Sequence, residues 1–288
     1  MQVFRASDAI ADGLATRNSL RSRAWQRVLT GIYADSRLDV DHTVKCHAAA
    51  LVIPPRAAFC GLSAAWLHGI EYAPRAAPVE VVVSPREKFG PVGGLRIHLE
   101  PLPAGEVVEL AGRRVTSPLR TAWDVATQKD LVTAVVVLDA MVRAKLVDRA
   151  GLDALVAERR GTRGWRMASR VFELSDGRSE SFPESRTRIQ LVIEGVPQPV
   201  PQFNVFDQNG IFIARLDMAW PEAMVGLEYD GHWHGTPDQL HLDRRRLNRL
   251  ASAGWTVLHV TSERLRTDLP GLAREIQAAL AAARHRRP

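Results

Sequence analysis

The stretch "ARLDMAWPEAMVGLEYDGHWH", residues 214–234, sets three acids, Asp217, Glu228 and Asp230, among aliphatic and aromatic neighbours. Its pattern predicts two strands joined by a short turn, over about 211–220 and 224–229. Side chains alternate between the two faces of a strand. Ile211, Ile213, Arg215 and Asp217 then share one face of the first strand, and Glu228 and Asp230 share one face of the second. If the strands are neighbours, the three carboxylates converge. Same-face residues on one strand lie about 6.6 Å apart, close enough for acids to repel and to lose hydration. A divalent cation relieves that repulsion, and magnesium takes one or two carboxylates while keeping positions for water and phosphate oxygens. The competing explanation is an edge strand that carries acids against aggregation, which accounts for one charge better than for three. The Tyr229–Asp230–Gly231 turn offers Asp230 a capping role instead, which would leave Asp217 and Glu228 in place.

The flanking sequence extends the pattern. A helix is predicted over about 183–194, a strand over 200–206 and a hairpin turn at "DQNG", 207–210. After the acid-bearing strands come a Gly/His/Pro loop, a charged helix near 239–253, a strand "WTVLHVT" and an amphipathic helix to about 283. The order α-β-β-β-α-β-α defines an α/β unit with a mixed sheet. The Ser- and Gly-dense segment "ELSDGRSESFPES", 173–185, bounds it, so a domain is expected over 179–288.

"PESRTRIQL", "ARLDMAWPEAMVGLEYDG" and "HLDRRRLNRLASAGWTVLHVT" together resemble the PD-(D/E)xK nuclease superfamily, in its branch related to very-short-patch repair (Vsr-like) endonucleases. The resemblance covers about residues 178–284 and implies a restriction-endonuclease-like core. It implies Asp217 and Glu228 as ligands of Mg2+ or Mn2+, Glu184 as a helix-borne acid at the rim, and Asp243 with Arg246 as a downstream pair. Asp230 stands where the superfamily has lysine, and no lysine follows Lys145 in this chain. His232 and His234, or His241, are then candidates for moving a proton at the attacking water or leaving group. Arg244 and Arg246 are candidates for holding a phosphate, against the simpler reading of a solvated arginine face. Glu184 has a simpler reading too, since an acid in the first turn stabilises any helix dipole.

At the N-terminus, helices are predicted at "DAIADG" and "NSLRSRAWQRV", followed by a hairpin at "VLTGIYA". That order is the order of a winged helix-turn-helix, expected over 1–40, with Arg17, Arg21 and Arg23 as candidate nucleic-acid contacts. A helical cap with solvated arginines is the plainer alternative. Residues 41–178 form an α+β region in which Ser117 and Pro118 start a helix, and Arg120 pairs with Asp124 one turn on. "LTGIYA", "CGLSAAWLHGI" and "TSPLRTAWDVA" are similar to the AbiEi-type antitoxins, autoregulators of abortive-infection systems, over about residues 1–140. A toxin partner and a homodimer are expectations of that resemblance.

The formal charge is +6, and it favours a polyanionic partner. Cys46 and Cys60 lie in apolar contexts without zinc-finger spacing, and no apolar run is long enough for a membrane span, so a reduced, cytoplasmic protein is expected. Phosphate-loop and dinucleotide fingerprints are absent from the sequence. Two functions remain: a metal-dependent endonuclease acting on nucleic acid, expected to be DNA, or a non-catalytic DNA-binding regulator whose nuclease-like domain is degenerate.

Overall fold

The computed structural model describes residues 3–87, 89–230 and 237–285, the side chains of 237–243 and 285 excepted. By internal contacts the chain forms two units, Met1–Lys129 with Lys145–Ser169, and Asp130–Ala144 with Arg170–Pro288. Both are α/β and contain a mixed or antiparallel sheet.

The first unit opens with β1 (Val3–Arg5), α1 (Ala6–Ala11), β2 (Trp25–Leu29) and β3 (Ile32–Asp35), in an antiparallel sheet of order β1-β3-β2. The hairpin expected at "VLTGIYA" is present. The second helix is not: Ser19–Arg21 makes a single 3-10 turn, and Trp25 already belongs to β2. Local side chains explain the difference. Thr16 N donates to Ser19 Oγ at 2.8 Å, Ser19 N to Thr16 Oγ1 at 3.1 Å, and Ser19 Oγ to Thr16 O at 2.9 Å. Such bonds compete with helical ones. Trp25 meanwhile packs edge-on against Phe4, 5.1 Å between centroids, which draws the following residues into the sheet.

Next come α2 (His42–Ala50), β4 (Ala58–Phe59), α3 (Gly61–Leu67), β5 (Val79–Val83), β6 (Leu95–Leu99), β7 (Val107–Leu110), β8 (Arg113–Thr116) and α4 (Pro118–Gln128). The sheet runs β6-β5-β4-β8-β7, parallel at β5/β6 and β4/β8 and antiparallel elsewhere. β5 is buried throughout, including Glu80. That carboxylate accepts the Leu62 amide at 2.8 Å and pairs with Lys129 and Arg96. Gly61, at φ +53°, is required beside it, because a Cβ there would come within 2.3 Å of Glu80 Oε2. Ser117 caps α4 with Pro118 behind it, and Arg120 bonds Asp124 at 2.7 Å while also meeting Glu100 and Glu106. This arginine is a structural hub.

The second unit comprises α5 (Leu131–Arg143), then, beyond α6 (Arg149–Glu158) of the first unit, the end of α7 (Trp165–Leu174) and all that follows. Its later elements are α8 (Phe182–Ile193), β9 (Val200–Phe206), β10 (Phe212–Trp220), β11 (Val225–Asp230), α9 (Pro237–Ser252), β12 (Thr256–Thr261), α10 (Ser262–Thr267) and α11 (Leu269–His285). The sheet has the order β12-β11-β10-β9, with β12 parallel to β11 and the rest antiparallel. One face packs Met218, Trp220, Leu227 and Val260 against Leu191 of α8 and Leu272, Ile276 and Leu280 of α11. The other packs Val205, Leu216 and Ala219 against Leu250 of α9.

α5, which the linear order places in the middle region, packs on α8 through a pair without solvent exposure. Arg188 Nη2 donates to Asp139 Oδ2 at 2.8 Å, both side chains 0% exposed. Arg188 Nη1 donates to Leu174 O at 2.9 Å, and the Asp176 amide donates to Asp139 Oδ1 at 2.7 Å. Burial pushes the Asp139 carboxyl pKa upward, and Arg188 opposes that shift. Removing one partner strands a buried charge. Asp139→Ala should therefore lower stability by about 3–5 kcal/mol in urea unfolding, whereas Asp139→Leu combined with Arg188→Met should lose far less. Equal losses in the two variants would contradict the burial of this pair.

Candidate functional site

The β10/β11 ladder ends at the pair Met218 and Leu227, and Asp217 and Glu228 are the next residues on those adjoining strands. Asp217 Oδ2 accepts the Tyr229 amide at 2.8 Å. Glu184 reaches the same place from the first turn of α8. Ser181 caps that helix, and Glu184 in turn accepts from Ser181 Oγ at 2.7 Å and from the Glu180 amide at 3.0 Å, a capping box. Gln202 joins the two acids. Its Nε2 lies 2.7 Å from Glu184 Oε2 and 3.4 Å from Asp217 Oδ1, which holds those oxygens within about 6 Å of each other. Gln202 does so with φ at +51°, a left-handed conformation that non-glycine residues avoid.

Glu228, 7% exposed, is held by both terminal nitrogens of the Arg246 guanidinium, Nη2 at 2.9 Å from Oε2. His259 Nδ1 lies 3.3 Å from the Asp230 carboxylate and 3.9 Å from Glu228 Oε2. Arg244 is exposed on α9. Burial, reinforced by the charges of Glu184 and Glu228, lifts the Asp217 pKa to about 6, and the Tyr229 amide only partly offsets it. The structure thus gathers Glu184, Asp217 and Glu228, sets Asp230 beside His259, and brings in Arg246. His232 and His234 lie outside the described residues, as does the side chain of Asp243. Gln202 and His259 escaped the sequence reading. The signal for His259 was its position on β12, register partner of Glu228; Gln202 left none, because its role depends on an unusual φ.

Among the described residues, no group of three or more His, Cys, Asp or Glu side chains is arranged to hold a metal ion. The oxygens of Glu228 face Arg246 instead. In the first unit, Arg17, Arg21 and Arg23 are all exposed, but Arg21 ends a 3-10 turn that Arg17 and Arg23 flank, in place of the expected recognition helix. The hairpin tip beside them is tied down, with the Thr30 amide donating to Gly93 O at 3.1 Å.

Comparison with known proteins finds one matching domain and two relatives of nearly full length. Residues 57–174, the five-stranded sheet and the helices after it, match the AbiEi antitoxin C-terminal domain. The chain belongs to the family of two mycobacterial relatives, with which it is 30% identical over 259 residues, 90% of this chain and 93% of theirs. They are the uncharacterized proteins Rv2248 of Mycobacterium tuberculosis H37Rv and MT2308 of strain CDC 1551. No solved structure matches the chain. The antitoxin match ends before the acid cluster.

The raised Asp217 pKa carries a pH dependence. A carboxyl whose folded pKa lies above its unfolded value gives stability below the unfolded pKa and loses it as pH rises through the folded one. Asp217→Asn keeps an acceptor for the Tyr229 amide and removes the repelling charge. Its melting temperature should exceed that of the parent protein at pH 8, and the difference should shrink toward pH 4. A variant less stable at pH 8 would show that the three acids do not strain the fold.

Proposed function

We propose that the protein is a DNA-binding regulator of the antitoxin type, with a toxin as its protein partner. The observation that carries this reading is the match of residues 57–174 to the AbiEi antitoxin C-terminal domain, preceded in the chain by α2 and, before it, a helix, turn and hairpin bordered by exposed arginines. Arg17, Arg21 and Arg23, with Arg27 on β2, supply the guanidinium groups that contact phosphate; such contacts position a protein on DNA and dominate affinity. The pinned hairpin makes this a rigid edge laid against the backbone. Replacing Arg17 and Arg21 by alanine in the full chain should weaken binding to the DNA upstream of its own gene, and each lost contact should reduce the salt slope by about one unit. An unchanged slope, or no binding by the parent protein, would remove this interface.

A second reading rests on a different observation: Glu184 and Asp217 are joined through Gln202, with Glu228 nearby and the Asp217 pKa raised to about 6. Acids strained in this way are frequent at functional sites. Their hard carboxylate oxygens suit Mg2+ or Mn2+, so the donor chemistry fits even though the described side chains form no closed cluster. Asp217 and Glu184 would hold the ion, with Glu228 joining once it leaves Arg246. A bound ion supplies polarisation of a phosphodiester and acidification of a water. Arg246 would then hold a phosphate oxygen with its paired N–H groups. His259, oriented by Asp230, can accept or return a proton at the leaving oxygen. On this reading the full-length protein nicks plasmid DNA with magnesium, and both chelation and Asp217→Asn stop it. Cleavage that survives in the rigorously purified variant would refute the assignment.

A further inference from the structure

The segment "RRGTRGWRMASR", residues 159–170, carries five arginines and no acid. Arg159 is paired with Glu106 and Arg170 with Glu173. Arg160, Arg163 and Arg166 are all exposed, and among the described residues they have no carboxylate partner. Glu158, the acid just before the run, is exposed and pairs with none of them. Three guanidiniums are thus left to solvent on one short stretch of the first unit.

The loop that presents them is fixed. Gly161 and Gly164 take φ of +84° and +86°, left-handed conformations open to glycine without penalty. A Cβ on Gly164 would come within 2.8 Å of Thr127 Cγ2, so the loop sits directly on α4. Thr162 Oγ1 donates to Arg159 O at 2.7 Å, and the Trp165 amide donates to Thr162 O at 3.3 Å. Trp165 opens α7 and stays part-exposed. The guanidinium carbons of Arg160 and Arg166 lie over its ring, 6.0 and 5.6 Å from the centroid, which holds these two cations within about 12 Å of each other.

Unpaired guanidiniums suit phosphate, which they hold through paired N–H groups. The indole decides between forms of nucleic acid. In a duplex the faces of the bases are covered by their neighbours, so an aromatic ring among the cations has nothing to meet. In a single strand the bases are free to stack on an aromatic ring or on a guanidinium plane. An acidic protein segment would engage the arginines but brings no flat base to the indole. We propose that Arg160, Arg163 and Arg166 hold successive phosphates of a single-stranded nucleic acid, with a base stacked at Trp165. The site is separate from the acid cluster and from the exposed arginines near the N-terminus, and it rests on neither functional reading. The strand is either RNA or DNA.

Fluorescence anisotropy of the full-length protein with labelled oligo(U), oligo(dT) and a duplex tests it, each about 12 nucleotides long, within the usual site size for single strands. The starting protein carries Arg17→Ala and Arg21→Ala, so that contacts near the N-terminus do not enter the comparison. One of the single strands should bind about tenfold more tightly than the duplex, the gain expected from stacking one base. Arg160→Ala, Arg163→Ala and Arg166→Ala together should lower the salt slope by about 2 units, at about 0.7 for each phosphate on a single strand. Trp165→Leu should weaken binding about tenfold at an unchanged slope, and Trp165→Phe, which keeps an aromatic face, should retain most of the affinity. The arginines are exposed, so the triple variant bears the test if Trp165→Leu fails to fold. A preference for oligo(U) or for oligo(dT) upholds the site either way and names the strand. A duplex bound as tightly as both single strands, or an unchanged slope in the triple variant, would overturn the proposal. So would displacement by poly-glutamate as effective as by unlabelled oligonucleotide, which would assign the patch to an acidic protein segment.

Discussion

Arg188 and Asp139 meet with no exposed surface on either side chain, and the second unit is organised around that contact. A charge so deeply buried is tolerated only when its partner and its remaining donors are satisfied. The guanidinium therefore recruits α5 through Asp139 and the end of α7 through the Leu174 carbonyl, while Asp139 fixes the Asp176 amide. Glu184 sits four residues earlier on the same helix. Fixing α8 by its middle thus sets where its first turn delivers a carboxylate, and Gln202 and Asp217 meet it there.

The chain contains many partly or fully buried acids, and compensation separates their roles. Glu80 has a helix amide and two cations, and Asp139 has an arginine and an amide. These acids knit elements together. Asp217 has an amide and a distant side-chain amide but two carboxylates for neighbours, so its charge is poorly tolerated. Glu228 stands between the two regimes, close to those acids yet neutralised by the guanidinium of Arg246. The stretch that matches the antitoxin domain, 57–174, and the acid cluster lie on different parts of one polypeptide.

Much of this was legible in the sequence. The strand period placed Asp217 and Glu228 on one face, and the structure sets them on adjoining strands, one residue past the last ladder pair. The turn signal at 207–210 and the boundaries of β9, β10 and β11 were readable because alternation, Gly and Asp-type turns are local properties. The 57–174 match accords with the antitoxin resemblance seen in "CGLSAAWLHGI" and "TSPLRTAWDVA". The helix expected through Trp25 failed because hydroxyl groups at Thr16 and Ser19 close a turn, and because sheet pairing with β3 overrode an arginine-rich helical pattern. Arg246 was readable as a candidate phosphate contact, but its clasp on Glu228 was not, since that contact joins residues 18 apart through tertiary packing. Gln202 left no signal because its role depends on an unusual φ, and His259 showed only through its place on β12.

The placement of α5 also constrains how the chain is made. Its aspartate emerges 49 residues before the arginine that neutralises it. At roughly 5–20 residues per second of synthesis, that interval is about 2–10 s. During it, an apolar helix carrying Val135, Val136, Val137 and Leu138 has left the ribosome without the face it will pack against. Meanwhile α6, which follows it, is already needed by the half of the chain made earlier. The nascent polypeptide must hold one helix in reserve while the next is put to use, and for those seconds its apolar face has no partner within the chain.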